Sequence, residues 1–429
     1  MDHARSAILG AGSAAAVLLA ATPLPALAQF VEPEVSVLYT LTTNEPGDGF
    51  GWAAEAIGDL DGDGASEIIV GAPRNSSGGP LAGAAFVFSG RSGALLNTVT
   101  GLPFNALGHG VAAVGDVDAD NVPDYAVSGP GTFGAPPPQL GRLVIVSGAT
   151  HTVLIDKPGP THLSFFGHDI NAAGDVDDDG HADVIVGAPF HSLGLPQSGS
   201  VHLVSGRDGT TIRSHGGLAA FSRFGSAVSG VADQDGDGRN DHAVGASGGG
   251  AKFTGEAYVL SGNDGALVRV LKARQNSGVF FGSFFVHDAG DIDADGRGDI
   301  FVGDFGDTHA GPTAGLGYVF YGGRDDRRFF FPEEPTGGLG PGRGAGDVDG
   351  DGHDDVVMAA FTSSAGAPGG GKMLVFSGRN GKLIRTMTGT TANELLGFDA
   401  LAVGDVNDDG LIDFLITGTT TVHLILGNP

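Results

Sequence analysis

The sequence predicts an all-β fold, a seven-bladed β-propeller with four-stranded blades closed by an N-terminal strand that completes the last blade. Three observations predict it. One acidic loop recurs seven times at nearly constant spacing, four strand-like segments accompany each loop, and a lone strand precedes the first repeat while the last repeat lacks its fourth.

The loop comes first because everything else is spaced by it. Its opening copy runs from Gly58 to Glu67 and continues into the apolar run Ile68-Ile69-Val70. Oxygen ligands at positions 1, 3 and 5 of a tight loop converge on a hard cation, a backbone carbonyl at 7 and a carboxylate at 9 completing the shell. The ligand candidates are Asp59, Asp61, Asp63 and Glu67; Asp116, Asp118, Asp120 and Asp124; Asp175, Asp177, Asp179 and Asp183; and Asp233, Asp235, Asp237 and Asp241. Three further sets are Asp291, Asp293, Asp295 and Asp299; Asp347, Asp349, Asp351 and Asp355; and Asp405, Asn407, Asp409 and Asp413. The expected cofactor is therefore Ca²⁺ at about seven sites, the last of them weakest because neutral Asn407 replaces a carboxylate. Position 6 is Gly in six copies and Asn121 in the other, as a left-handed turn requires. Position 7 varies freely (Ala65, Val122, His181, Arg239, Arg297, His353, Leu411), which suits a backbone ligand whose side chain is irrelevant.

From loop to loop the first Asp advances by 57, 59, 58, 58, 56 and 58 residues, so the ordinary length-based domain count does not apply. The 77 Gly and 22 Pro mark many turns, and 41% hydrophobic residues suffice for a core. The net charge of −28 is largely the loops, which hold 27 of the 50 Asp and Glu; seven Ca²⁺ would halve it. The remaining acidity argues against nucleic acid as a partner.

Residues 1–28 read as a secretory signal: Arg5, an Ala/Leu-rich stretch, and Ala26-Leu27-Ala28 as a small-x-small cleavage site. Pro23 and Pro25 interrupt the apolar run before it reaches spanning length, so no membrane span is expected in the mature chain. Residues 29–429 are expected to form the single propeller, secreted, periplasmic or displayed on the cell surface. With no Cys there is no disulfide framework, and metal loops would take over the cross-linking role.

After the leader, Ser36 to Thr42 is the lone strand. Each repeat then supplies a small apolar strand ending in the loop (52–57 in the first), a second strand directly after it (67–70), a third ending in Gly (84–90), and a fourth after a short turn (94–100). Ser36 to Thr42 matches Ala94 to Thr100 in type, and the seventh repeat stops after its third strand. Completing that sheet closes the ring and removes both exposed edges. An open solenoid would need polar caps, and the sequence has none. First strands rich in Ala, Gly, Ser and Val belong at the crowded axis, and those carrying Phe, Leu, Ile and Tyr where blades diverge.

Phe50-Gly51, the acidic loop and Gly71-Ala72-Pro73 together resemble the FG-GAP repeat of integrin α-subunit propellers and of many exported bacterial proteins, over residues 35–429. Phe166-Gly167 with Gly187-Ala188-Pro189 is the other close copy. Other copies drift, as in Leu107-Gly108, Phe224-Gly225, Phe281-Gly282, Leu339-Gly340 and Leu396-Gly397. Integrin propellers carry calcium loops in only some blades, so seven intact loops are closer to the calcium-rich fungal lectin propellers and bacterial FG-GAP proteins.

The residues after the FG-type Gly are Trp52, His109, His168, Ser226, Ser283, Pro341 and Phe398. By the resemblance, aromatic residues at this rim hold a partner's side chain, which makes Trp52, His109, His168 and Phe398 the candidate ligand-binding residues. Long loops joining second to third strands open on the same face, the usual place for recognition. The expected function is an exported calcium-binding module for adhesion or ligand binding, its partner an extracellular glycan or protein. The alternatives are a propeller-type polysaccharide lyase or hydrolase, or a purely structural surface component. No catalytic residues are assigned. Asp299 of Arg297-Gly298-Asp299 is a loop position and cannot also be displayed, Gly245-Ala246-Ser247-Gly248-Gly249 lacks the helix a nucleophile elbow needs, and Gly366 to Lys372 leads into a strand rather than a phosphate-binding helix.

Overall fold

The computed structural model describes residues 29–132, 139–250, 253–274 and 280–428; the expected leader at 1–28 lies outside them. The strands form seven four-stranded antiparallel sheets, and among the described residues there is no α-helix. The first blade is Ala54–Ala56, Ile68–Ala72, Ala84–Phe88 and Leu95–Thr100, and the next five repeat its order. In the seventh, Ala400–Gly404, Asp413–Thr417 and Val422–Ile425 are joined by Val37–Leu41, with Tyr39 opposite Leu424 and Leu41 opposite Val422. The ring is closed by the strand that the sequence leaves over.

Period-two geometry explains why the second strands are apolar at every residue. Successive side chains point to opposite faces, and in this ring both faces are covered by neighbouring blades. Ile68 and Val70 pack with Leu401, Val403 and Leu424 of blade 7, whereas Ile69 packs with Tyr125, Val127 and Val144 of blade 2. All three first-blade residues are fully buried, each contributing about 1.5–3 kcal/mol. Each of the seven seams between blades holds one such cluster.

The first strands surround the axis, each touching the next and the first touching the last. Space there is scarce: a Cβ on Gly344 would lie 2.7 Å from the Ala289 carbonyl, and one on Gly230 2.6 Å from that of Ala172. At these two positions a side chain has no room.

Because each blade is a meander, its connections alternate between two faces. The acidic loops and the turns from third to fourth strands lie on the lower face. Loops from second to third strands and the connections between blades lie on the upper face, stitched together by bridges such as Gly83 to Leu107 and Gly199 to Phe224. Each functional candidate is therefore assigned a face by topology alone.

Candidate functional site

On the lower face the seven loops share one hydrogen-bond scheme. The position 1 carboxylate accepts from the position 6 amide at 3.0, 2.9, 2.9, 2.8, 2.8, 2.9 and 2.6 Å from the first loop to the last. Position 5 accepts from the position 7 amide, as Asp63 does from Ala65 at 2.9 Å. Position 6 is left-handed in every loop, Asn121 included (φ 71°). Position 4 is left-handed too, although it carries Ala119, Asp178, Ala294 and Asp408 in four copies, a constraint not evident from residue type.

Position 9 is buried in all seven loops. Its carboxylate accepts from the position 2 amide, for example Val117 to Asp124 at 2.7 Å. In six blades it also accepts from the Gly that ends the third strand, for example Gly148 to Asp124 at 2.8 Å. Glu67, the exception, leaves a buried Oε1 with no hydrogen-bond partner among the described residues. Carboxylate oxygens of Asp59, Asp61 and Glu67 come within 4.8 Å of one another, as do those of Asp116, Asp118 and Asp124, and of the third, fourth and fifth loops. Clustered hard oxygens, one of them buried and unpaired, fit a divalent cation.

Position 7 side chains are not idle. His181 donates from Nδ1 to the Val117 carbonyl of the preceding loop at 2.6 Å, and His353 likewise to Ile292 at 3.1 Å. Arg239 pairs with Asp178, and Arg91 binds Asp408 at 2.8 Å and the Asp63 carbonyl at 2.7 Å. These contacts tie the third loop to the second, the fourth to the third, the sixth to the fifth and the first to the seventh, which spacing along the chain could not reveal.

Burial pushes the position 9 carboxyls up, backbone amides opposing and loop carboxylates adding to it: Glu67 to about 7, Asp183 to about 6, Asp299 to about 7 and Asp355 to about 6. A carboxyl raised above its unfolded value stabilises the metal-free fold only while protonated, and that contribution is lost as pH rises through about 6–7. A cation must displace those protons at low pH. The rise in melting temperature on adding calcium is therefore expected to be larger at pH 7.5 than at pH 5, measured as the difference between calcium and chelator. Buried histidines titrate in both states and cancel from that difference. An increment independent of pH would mean that position 9 does not face the cation.

On the upper face, Trp52, His109, His168 and Phe398 come together as expected by sequence. Ring centroids lie 5.2 Å apart for Trp52 and His109, 5.0 Å for His109 and His168, and 5.0 Å for Trp52 and Phe398. Three residues absent from the sequence reading complete the collar: Phe284, 6.0 Å from His168; Phe305, 6.2 Å from Phe284; and Phe361, 5.9 Å from Phe305 and 6.0 Å from Phe398. Phe305 and Phe361 occupy the place of Pro in the Gly-Ala-Pro motif, and that departure was the available signal. Ser226 lines the same cavity, Ser283 lines a neighbouring groove, and Pro341 is buried.

The collar rings a cavity of about 410 Å³ whose floor is charged. Arg343 donates to Glu55 at 2.7 Å and to Asp399 at 2.8 Å. Asp169 accepts from the Val228 and Ile170 amides, and burial pushes it up to about 7. Burial lowers His109 to about 3 and His168 to about 4, keeping both neutral. Each donates from Nδ1 to a carbonyl, His168 and Ser226 respectively. Neutral π faces above carboxylates attract a cation, and Arg74 already lies 5.9 Å from the Trp52 ring centre at the rim.

The other motifs are accounted for by packing. Asp299 is fully buried and accepts from Ile292 and Gly322, Ser247 hydrogen-bonds Ser226, and Lys372 pairs with Glu333 and Glu334 at 3.0 Å.

Fold and site define a seven-bladed propeller with an acidic loop in every blade and an aromatic collar over its hub. Residues 50–88 and 167–204 match the FG-GAP repeat model, and the chain carries FG-GAP repeats like those of integrin α-subunits. It is 30% identical to integrin alpha-5 of Xenopus laevis over 210 residues, 45% of this chain and 19% of that one. The corresponding figures are 32% over 213 residues for integrin alpha-V of Gallus gallus (47% and 20%) and 33% over 209 residues for integrin alpha-IIb of Homo sapiens (45% and 19%). The chain spans about a fifth of the length of these relatives. Among the described residues no helix is long and apolar enough to cross a membrane.

Proposed function

We propose that this chain is an extracellular, calcium-loaded binding or adhesion module that takes its ligand on the upper face. The observation that carries the reading is the collar of seven aromatic rings over an acidic floor, a receptor for a basic group of a protein or glycan ligand. Trp52, His109, His168 and Phe398 supply ring faces, with Glu55, Asp169 and Asp399 beneath them. The twenty-eight loop residues, Asp59 through Asp413, hold Ca²⁺ on the opposite face, where the ions stiffen the scaffold without blocking the ligand. Export follows from the leader at residues 1–28, with cleavage near Ala28 leaving residues 29–429 as the propeller. Similarity to integrin α-subunits supports an extracellular setting and a protein partner.

The test is a screen of surface glycans and extracellular proteins in millimolar calcium and again in chelator. For any ligand found, replacing Trp52, His109 and His168 together by Ala is expected to weaken binding at least about tenfold, since central aromatic anchors dominate interface energies. Unchanged binding by the folded triple variant would place the contact elsewhere.

A further inference from the structure

Beside the collar, between the upper loops of blades 3, 4 and 5, lies a second concavity of about 490 Å³. It shares His168, Ser226 and Phe284 with the collar, but its chemistry is different. Among the described residues no acidic side chain lines it, in a chain with 50 acidic and 22 basic residues. Among the described residues its one charged lining residue is Arg223, exposed, with its guanidinium 5.2 Å from the Phe190 ring centre and no carboxylate within ion-pair distance. An exposed arginine with no carboxylate partner can pair with the anionic group of a ligand.

Aromatic faces surround that cation. Phe221 is 52% exposed, Phe253 59%, Phe280 39% and Phe284 43%, which is costly display for residues that normally seek the core. Phe280 is held flat by stacking on Phe305 at 4.4 Å, and Phe190 is packed on Phe165 at 4.9 Å. These two rings are fixed by their neighbours. Between the rings stand hydroxyls, and one of them is orphaned: Ser283 is 4% exposed, lines the groove, and its Oγ has no hydrogen-bond partner among the described residues. A buried hydroxyl without a partner costs free energy unless a ligand supplies one.

Apolar faces alternating with hydroxyls, plus one unpaired guanidinium, match a pyranose ring that stacks one face, offers hydroxyls at its edge, and carries a carboxylate. An apolar peptide anchor would leave the Ser283 hydroxyl unsatisfied. We propose that this groove is a subsite for an acidic saccharide of the uronic-acid type, its carboxylate on Arg223, its ring over Phe221 and Phe253, and a hydroxyl on Ser283. The assignment stands on the groove's own residues and does not depend on what enters the collar.

The experiment is calorimetric titration of the full chain, in millimolar calcium, with a glucuronic-acid-terminated trisaccharide and with its carboxyl-reduced neutral counterpart. The acid is expected to bind at least tenfold tighter than the neutral sugar. Arg223→Ala should abolish that preference and Arg223→Lys should restore part of it, while Ser283→Ala should weaken both sugars severalfold. Arg223 is exposed, so its variants fold, and circular dichroism checks this for all three. Equal affinity for acid and neutral sugar, no binding of either by the folded chain, or an acid preference surviving in Arg223→Ala would each overturn the proposal. So would binding of an acidic peptide at this groove in place of both sugars.

Discussion

Chelating divalent cations is expected to lower the melting temperature of this chain by about 4–12 °C relative to 1 mM calcium. At affinities usual for extracellular modules, dissociation constants of about 10⁻⁴–10⁻³ M, each site adds about 0.4–1.4 kcal/mol at that concentration. Seven sites then sum to about 3–10 kcal/mol, against an unfolding entropy of about 0.8 kcal/mol/K for ~400 residues. The loops carry this weight because seven clusters of carboxylates repel one another when empty, and because contacts such as Arg239 with Asp178 couple one loop to the next. The seventh loop is expected to empty first. Its Asn407 amide donates to Asp409 at 2.9 Å, occupying an oxygen that a cation would use. Asn407→Asp should therefore lower the calcium concentration at which that site half-fills, read by titrating thermal stability. A melting temperature unmoved by chelator would mean that the loops hold themselves.

Replacing Arg343 by Met is expected to destabilise the propeller by about 3–5 kcal/mol, because it strands two carboxylates at the hub. Arg343 comes from the first strand of blade 6 and reaches Asp399 of blade 7 and Glu55 of blade 1, so one guanidinium spans the seam where the two ends of the chain meet. Asp399 is itself tied to blade 1 by accepting from the Ala54 amide at 3.1 Å. Burial already raises Glu55, with Arg343 the main opposing influence. Without it Glu55 would take up a proton more readily, and the loss should shrink in acid. Urea denaturation measures the effect, and adding Glu55→Gln and Asp399→Asn to Arg343→Met should recover most of it. A loss below about 1 kcal/mol would mean that blade packing alone closes the ring.

The collar illustrates where sequence reading reaches and where it stops. Trp52, His109, His168 and Phe398 were legible because each follows the Gly of a recurring motif, so one aligned column placed them on one rim. Phe284, Phe305 and Phe361 were not. They belong to blades where that column holds Ser283 and Pro341, and the ring is completed from other columns by side chains that reach across. Position 7 of the loops misled for a related reason: its variability suggested irrelevant side chains, yet His181, Arg239 and His353 contact the preceding blade.

What the sequence determined by itself was whatever repeats: the seven acidic loops, the four strands of each blade, and the closing strand at 37–41 paired with 422–425. Period and residue type act within one repeat, and the same local rules applied seven times leave a single way to close the ring. The tertiary structure alone decided what happens between repeats. Glu55, Asp169, Arg343 and Asp399 are spread over more than 300 residues and meet because every first strand converges on the axis, where burial makes one ion pair decisive. The groove around Arg223 is likewise built from three blades at once. Charge neutralisation, cavity shape and ring-to-ring contact are properties of neighbours in space, and no spacing along the chain encodes which neighbours a closed ring will bring together.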